Sequence, residues 1–158
     1  MNDGGNTRFT LPRGATGFFI PKDGPLPQTD VRGFRTALYA AARAIGGQVG
    51  EFEGQEHPLS FHTASVVART GESVVLCHAH LPWVAFARER RNWYREEFLT
   101  PPSWAFPFAE AGFVVLSHEQ LTTPLSAVDT SVLTPAEWRQ VRSYNITTLG
   151  GVLFNAWA

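Results

Sequence analysis

Between residues 61 and 87 the chain carries three apolar runs with only turn chemistry between them: FHTASVVAR, TGE, SVVLCHAH, LP and WVAFAR. Runs this short, rich in valine and aromatics and bounded by glycine or proline, read as consecutive β-strands. A sheet with one wet face alternates apolar and polar residues; these strands are apolar on both faces, so both faces are expected to be covered. Thr70-Gly71 fits a two-residue hairpin turn. That register sets Val66 against Val75, Ala64 against Cys77 and His62 against Ala79 on one face. On the other, Val67 meets Val74, Ser65 meets Leu76, Thr63 meets His78 and Phe61 meets His80.

The rest of the chain supplies the covers. Val31, Phe34, Leu38, Ala41, Ala42 and Ile45 recur at spacings of three and four, which predicts a helix over 30–45 capped by Thr29 or Asp30. Gly46-Gly47 closes it. Residues 8–12 and 16–21 read as two short strands around Arg13-Gly14, and 49–53 as a half-exposed strand with Glu51 and Glu53 on one side. Residues 89–103 read as a long loop, 104–112 as a segment ending in a short helix, 113–117 as a strand and 121–132 as irregular. Thr134, Pro135 and Glu137 form a capping box that starts a helix. The final stretch, TTLGGVLFNAWA, reads as a weaker helix because its glycine pair costs helical stability. Its apolar residues lie on several sides, so it must be buried or meet a partner. The expected fold is α+β. A mainly antiparallel sheet of five to seven strands packs with one long helix in the N-terminal half and with C-terminal helices. Residues 8–158 make one domain and residues 1–7 a frayed end.

Composition narrows the function classes. The net charge is −1, and the basic residues are twelve arginines and a single lysine, Lys22. A general nucleic-acid binder is usually strongly basic. One cysteine excludes an intrachain disulfide and a multi-thiolate metal site. A reducing cytoplasm is the simplest setting for it. The opening MNDGGNTRFTLP lacks a leader pattern, and no apolar stretch is long enough to span a bilayer.

Several residue sets bear on chemistry. His78 and His80 share a strand face and could reach one metal ion, with His62 as a third ligand only if the register slipped by one residue. Cys77 lies in an apolar strand, where burial makes a thiol inert. The run 87–97 interleaves Arg88, Arg90, Arg91 and Arg95 with Trp93 and Tyr94, which suits single-stranded nucleic acid, but Glu89, Glu96 and Glu97 nearly cancel the charge. Glu51, Glu53, Glu56 and His57 form an acidic edge that suits a basic partner. No phosphate-binding glycine loop, nucleophile elbow or HExxH helix is present. No cofactor is implied.

The blocks VVLCHAHLPWVAFA and FAEAGFVVLSHEQL, with LTPAEWRQVRSYNITTLGGVLFNAWA after them, resemble small bacterial immunity proteins encoded beside polymorphic toxins. The resemblance covers about half the chain and rests on apolar and aromatic pattern. It implies a single α+β domain that binds and neutralises a cognate toxin in the cytoplasm without catalytic residues. The leading expectation is therefore a protein-binding module. Its contacts are expected at Arg90, Arg91, Trp93, Tyr94 and Trp104, with Glu51 and Glu53 second. A metal-dependent role for His62, His78 and His80, and a nucleic-acid role for the Arg/Trp/Tyr loop, are the alternatives. Edge-strand pairing or docking of the last helix would make a homodimer.

Overall fold

The computed structural model describes residues 9–19, 22, 24–94 and 97–157; the expected frayed end, residues 1–7, lies outside them. In chain order the elements are β1 (Phe9–Thr10), α1 (Val31–Ala44), β2 (Gln48–Val49), β3 (Phe61–Ala68), β4 (Gly71–His78), β5 (Trp83–Ala87), β6 (Phe98–Leu99), α2 (Phe106–Glu110), β7 (Val114–Val115), α3 (His118–Leu121), β8 (Val128–Asp129), α4 (Pro135–Ser143) and α5 (Leu149–Leu153). Strands β2-β3-β4-β5-β6 form an antiparallel sheet, and β7 joins β5 in parallel. The outer edge of β5 is shared: β7 pairs with Trp83 and Val84, whereas β6 pairs with Phe86 and Ala87. Strands β1 and β8 make a separate parallel pair. This is the α+β arrangement that the apolar runs demand.

Both sheet faces are covered, as the missing alternation requires. Ala64, Val66, Val75, Cys77, Val84 and Phe86 pack under α1 and α2, against Phe34, Leu38, Ala41 and Phe108. Phe61, Val74, Leu76, Ala85 and Ala87 pack against Leu149, Val152, Leu153, Phe154 and Tyr94. Helix α1 begins where expected, with the Asp30 carboxylate accepting from the Gly33 N–H at 2.9 Å.

The β3–β4 register differs from the expected one. Ala68 pairs with Gly71, so the turn residues are Arg69 and Thr70, and His62 lies opposite Cys77 and Phe61 opposite His78. Neither Arg69 nor Thr70 takes a positive φ; Gly71 does, at 130°. A β-branched threonine resists that region and glycine does not, so the turn sits one residue earlier. Each partner shifts by two positions, which leaves every side chain on its expected face.

The strand expected over 49–53 is broken. The Gly50 N–H donates to Ser65 O at 2.8 Å and the Glu53 N–H to Thr63 O at 2.7 Å. Three steps along one strand thus match two along the other, a β-bulge. The bulge lets Val49 and Phe52, three residues apart, both face α1. A regular strand would send one of them to the opposite face. A Cβ on Gly50 would lie 2.3 Å from Ser65 Oγ and would displace that hydroxyl.

Other departures follow from tertiary contacts. Residues 16–19 form no strand; Thr16 is buried and its hydroxyl donates to the Glu137 carboxylate. The remainder of that expected strand, residues 20 and 21, lies outside the described residues. The loop expected over 89–103 contains β6, and the strand over 113–117 shrinks to β7, whose Val114 is exposed. Ser117 and Gln120 form a capping box that starts α3, and β8 lies inside the stretch expected to be irregular. Helix α4 starts at its capping box as expected. Helix α5 is a short, wholly buried turn, after which the chain extends; Ala156 bridges Leu59, and Phe154 and Trp157 enter the core. The apolar C-terminus therefore meets its own domain. Among the described residues no helix is long and apolar enough to cross a membrane.

Candidate protein interface

His78, His80 and Cys77 are committed to the interior, and His62 is half-buried. His78, at the end of β4, is fully buried; its Nε2–H donates to Ala15 O at 2.7 Å while its Nδ1 accepts from the His80 N–H at 3.0 Å. Both ring nitrogens are used, which fixes a neutral tautomer. Burial lowers its pKa to about 3; the bond to Ala15 opposes this, and the neighbouring His80 and His62 charges add to it. The His80 ring donates from Nδ1 to Pro27 O at 2.8 Å. His62 lies on the α1 face, stacked 6.0 Å from the Phe52 ring, with its Nδ1 accepting from the Gln55 N–H at 2.8 Å. Burial, and secondarily His80, lowers its pKa. Burial pushes the Cys77 thiol far up, away from the thiolate a nucleophile needs. The expected alternative of His62, His78 and His80 around one ion does not assemble, because His62 stands on the opposite face and His78 has no lone pair left. Among the described residues no three His, Cys, Asp or Glu side chains could hold a metal ion.

The arginine loop and the acidic edge, expected as separate surfaces, meet. Arg90 pairs with Glu53 at 2.5 Å, donates to the Glu51 carbonyl, and reaches Ser65 Oγ at 3.1 Å. The vacant space over Gly50 is what lets Ser65 Oγ approach. Arg91 pairs with Glu89 at 3.1 Å and stands 3.8 Å from Glu97. Pairs this exposed contribute little stability, about 0–1 kcal/mol each, but they neutralise the loop. Trp104 is half-buried on the α1 side, edge-on to Phe86 at 5.6 Å, and so belongs to a different surface from Trp93.

Tyr94 corrects the expected contact set: it is fully buried. Its N–H donates to Phe154 O at 3.0 Å, its hydroxyl donates to Glu89 O at 2.8 Å, and the same hydroxyl accepts from the Arg91 N–H at 2.8 Å. Burial raises the phenol to about 12, against the opposing Arg91 hydrogen bond and arginine charges. Tyr94 therefore staples the loop to the C-terminal segment. Its neighbour Trp93 is thrown outward, 45% exposed.

Trp93 overhangs a hollow of about 480 Å³ whose walls include Glu56, His57, Leu59, Asn92, Tyr144 and Ala156. A second hollow of about 260 Å³ adjoins it, sharing Trp93, Tyr144 and Ala156 and reaching Ile146 and Asn155. Its walls are held from behind. Tyr144 packs edge-on against the buried Trp157 at 5.6 Å, and the Trp157 N–H donates to Pro58 O at 3.1 Å. The sequence pointed to Trp93 and to Glu56 and His57, but not to their meeting with Tyr144 and Ala156. Tyr144 comes from the end of α4 and Ala156 from the C-terminal segment, whose extended path beside Leu59 brings it there. A further groove of about 510 Å³ runs along α4 past Trp138 and Arg142. The Arg142 guanidinium lies over the Trp138 ring at 5.4 Å, and none of the expected contact residues lines it.

Fold and site together define an α+β protein with an aromatic-walled cleft at a stapled loop and no assembled catalytic set among the described residues. Neither a protein-family model, nor a curated protein, nor a solved structure matches this chain.

Proposed function

We propose that this chain is a non-catalytic protein-binding module whose contact centre is Trp93 and the cleft beneath it, acting as an immunity-type antidote to a cognate toxin. The observation that carries the reading is Trp93 itself, a large aromatic held 45% exposed by a loop that Tyr94 fixes from below. A pre-ordered aromatic loses little freedom on binding. Tryptophan, tyrosine and arginine are also the residues that dominate interface energetics. Trp93, Tyr144 and Arg91 supply all three on one side of the molecule. The committed nitrogens of His78 and the raised Cys77 thiol favour binding over catalysis.

The partner to test is the protein encoded by the open reading frame beside this chain's gene. Isothermal titration should show a one-to-one complex that Trp93→Ala weakens by about 30-fold or more, the penalty of losing a central anchor. Co-expression should relieve the growth defect caused by that neighbour. No complex, or affinity unchanged in Trp93→Ala, refutes the assignment.

A further inference from the structure

Helix α1 turns an unbalanced positive face to solvent. Arg32, Arg35, Thr36, Tyr39 and Arg43 are all exposed. At 3.6 residues per turn they fall on one stripe, opposite the buried Phe34, Leu38 and Ala41. The helix, VRGFRTALYAAARA, carries no carboxylate, and none of its three arginines makes an ion pair with a described residue. A helix face that serves only solvation mixes both signs, with carboxylates three or four positions from the cations. Arg32 also stands in the first turn, where the helix dipole disfavours a cation. The carboxylate capping that end, Asp30, accepts from the Gly33 N–H. The Arg35 guanidinium lies over the Phe52 ring at 4.7 Å, a contact that positions the charge without neutralising it. Among these arginines the Tyr39 ring is 48% exposed.

We propose that the outer face of α1 docks an acidic segment of a second protein, with carboxylates on Arg32, Arg35 and Arg43 and an apolar side chain on the Tyr39 ring. Charge complementarity carries the choice. Three guanidinium groups without a described carboxylate partner, spread over about 16 Å of helix axis, match a short run of carboxylates. The guanidinium fork binds a carboxylate through two parallel N–H donors and is weakly hydrated to begin with. Tyrosine and arginine are also the residue types that anchor protein interfaces. A nucleic acid fits less well, because its binders are usually strongly basic and this chain has a net charge of −1. Helix α1 lies across the sheet from Tyr94 and the C-terminal residues, so this surface is separate from the Trp93 cleft and does not depend on the reading given to it.

The test uses the full chain and fluorescein-labelled probes read by anisotropy at about 0.1 M salt, where screening confines the effect to nearby charges. The probes are the acidic peptide Asp-Glu-Phe-Glu-Asp-Glu, its amide counterpart Asn-Gln-Phe-Gln-Asn-Gln, and a short oligothymidylate. The acidic peptide should bind saturably, with Kd in the range of about 0.1–1 mM, and the amide peptide about 10-fold more weakly or not at all. Combining Arg32→Gln, Arg35→Gln and Arg43→Gln should weaken the acidic peptide by about 10-fold or more. The melting temperature of that protein should stay unchanged or rise, because a cation leaves the first turn. Tyr39→Ser should weaken the peptide by about 3-fold. Removing the same charge elsewhere, by Lys22→Gln, Arg88→Gln and Arg139→Gln together, should leave the affinity within about 2-fold of the parent. The proposal is overturned by no saturable binding of the acidic peptide, equal binding of the amide peptide, or unchanged affinity in the α1 triple variant. An equal loss in the control triple variant, or tighter binding of the oligothymidylate than of the acidic peptide, overturns it as well.

Discussion

Gly150→Ala reverses an ordinary rule, and the structure says by how much. In a helix interior alanine is favoured over glycine by about 1 kcal/mol, so the local sequence of α5 predicts a gain. A Cβ on Gly150, however, would lie 2.4 Å from Phe98 Cε2, 2.8 Å from Phe98 Cζ and 3.0 Å from the Leu121 carbonyl oxygen. Carbon atoms prefer about 3.5–4.0 Å, so the Phe98 ring must retreat by about 1 Å. It has nowhere to go: Phe98 is 3% exposed and rests on Tyr94 at 5.7 Å and Phe154 at 5.8 Å. Overpacking of this kind costs about 1–3 kcal/mol. Three such contacts, one of them to a backbone oxygen, put this site in the upper half of that range, about 2–3 kcal/mol; set against the helical gain, the net loss is about 1–2 kcal/mol, a melting temperature lower by about 2–8 °C for a chain of this size. Urea and thermal unfolding followed by circular dichroism would measure it. Gly54→Ala is the control, because its Cβ would meet only Phe52 at 3.8 Å, and it should stay within about 0.5 kcal/mol of the parent or gain slightly. Adding Phe98→Leu to Gly150→Ala should recover part of the loss, beyond the sum of the single effects. A Gly150→Ala protein as stable as the parent would refute the close-packing account of the glycine pair.

Three further outcomes can be measured. Because His78 titrates near 6.5 when unfolded and near 3 when folded, it leaves stability untouched above pH 6.5. Between pH 6.5 and 3 the unfolded chain takes a proton that the folded chain refuses, so stability falls with pH at a limiting slope of about 1.4 kcal/mol per unit. His62, lowered in the same direction, adds to the slope; His78→Gln should flatten the curve from urea titrations at pH 7 to 4, and coincident curves would contradict a buried neutral imidazole. Tyr94→Phe removes one donor and one acceptor at the base of the loop. It should cost about 1–3 kcal/mol in urea unfolding and speed hydrogen exchange at the Arg91 amide. Cys77, buried and with its thiol pushed up, should react with a thiol reagent only at the rate of unfolding; fast labelling of the folded protein would place it elsewhere.

The legible part of this molecule was whatever follows from short-range pattern. The unbroken apolar runs at 61–68 and 74–87 required a sheet covered on both faces. The three-four spacing from Val31 to Ile45 required α1, and the Thr134–Glu137 capping box required the start of α4. Each depends on residues within one turn or one hairpin, where steric preference and local hydrogen bonding decide the outcome. Even the misplaced β-turn kept every side chain on its proper face, because a shift of two positions preserves strand parity. What only the tertiary structure decided are contacts between segments far apart in the chain. The bulge after Val49 exists because α1 takes both Val49 and Phe52. Tyr94 lies inside and Trp93 outside because the C-terminal strand-like tail offers Phe154 O to one and a hollow to the other. The buried tail, with its glycines pressed on Phe98, is what turns an arginine-rich loop and an acidic edge into one neutralised wall beside an aromatic cleft. Such choices rest on which distant surfaces fit together at close-packed density, and no local pattern in the chain encodes that fit.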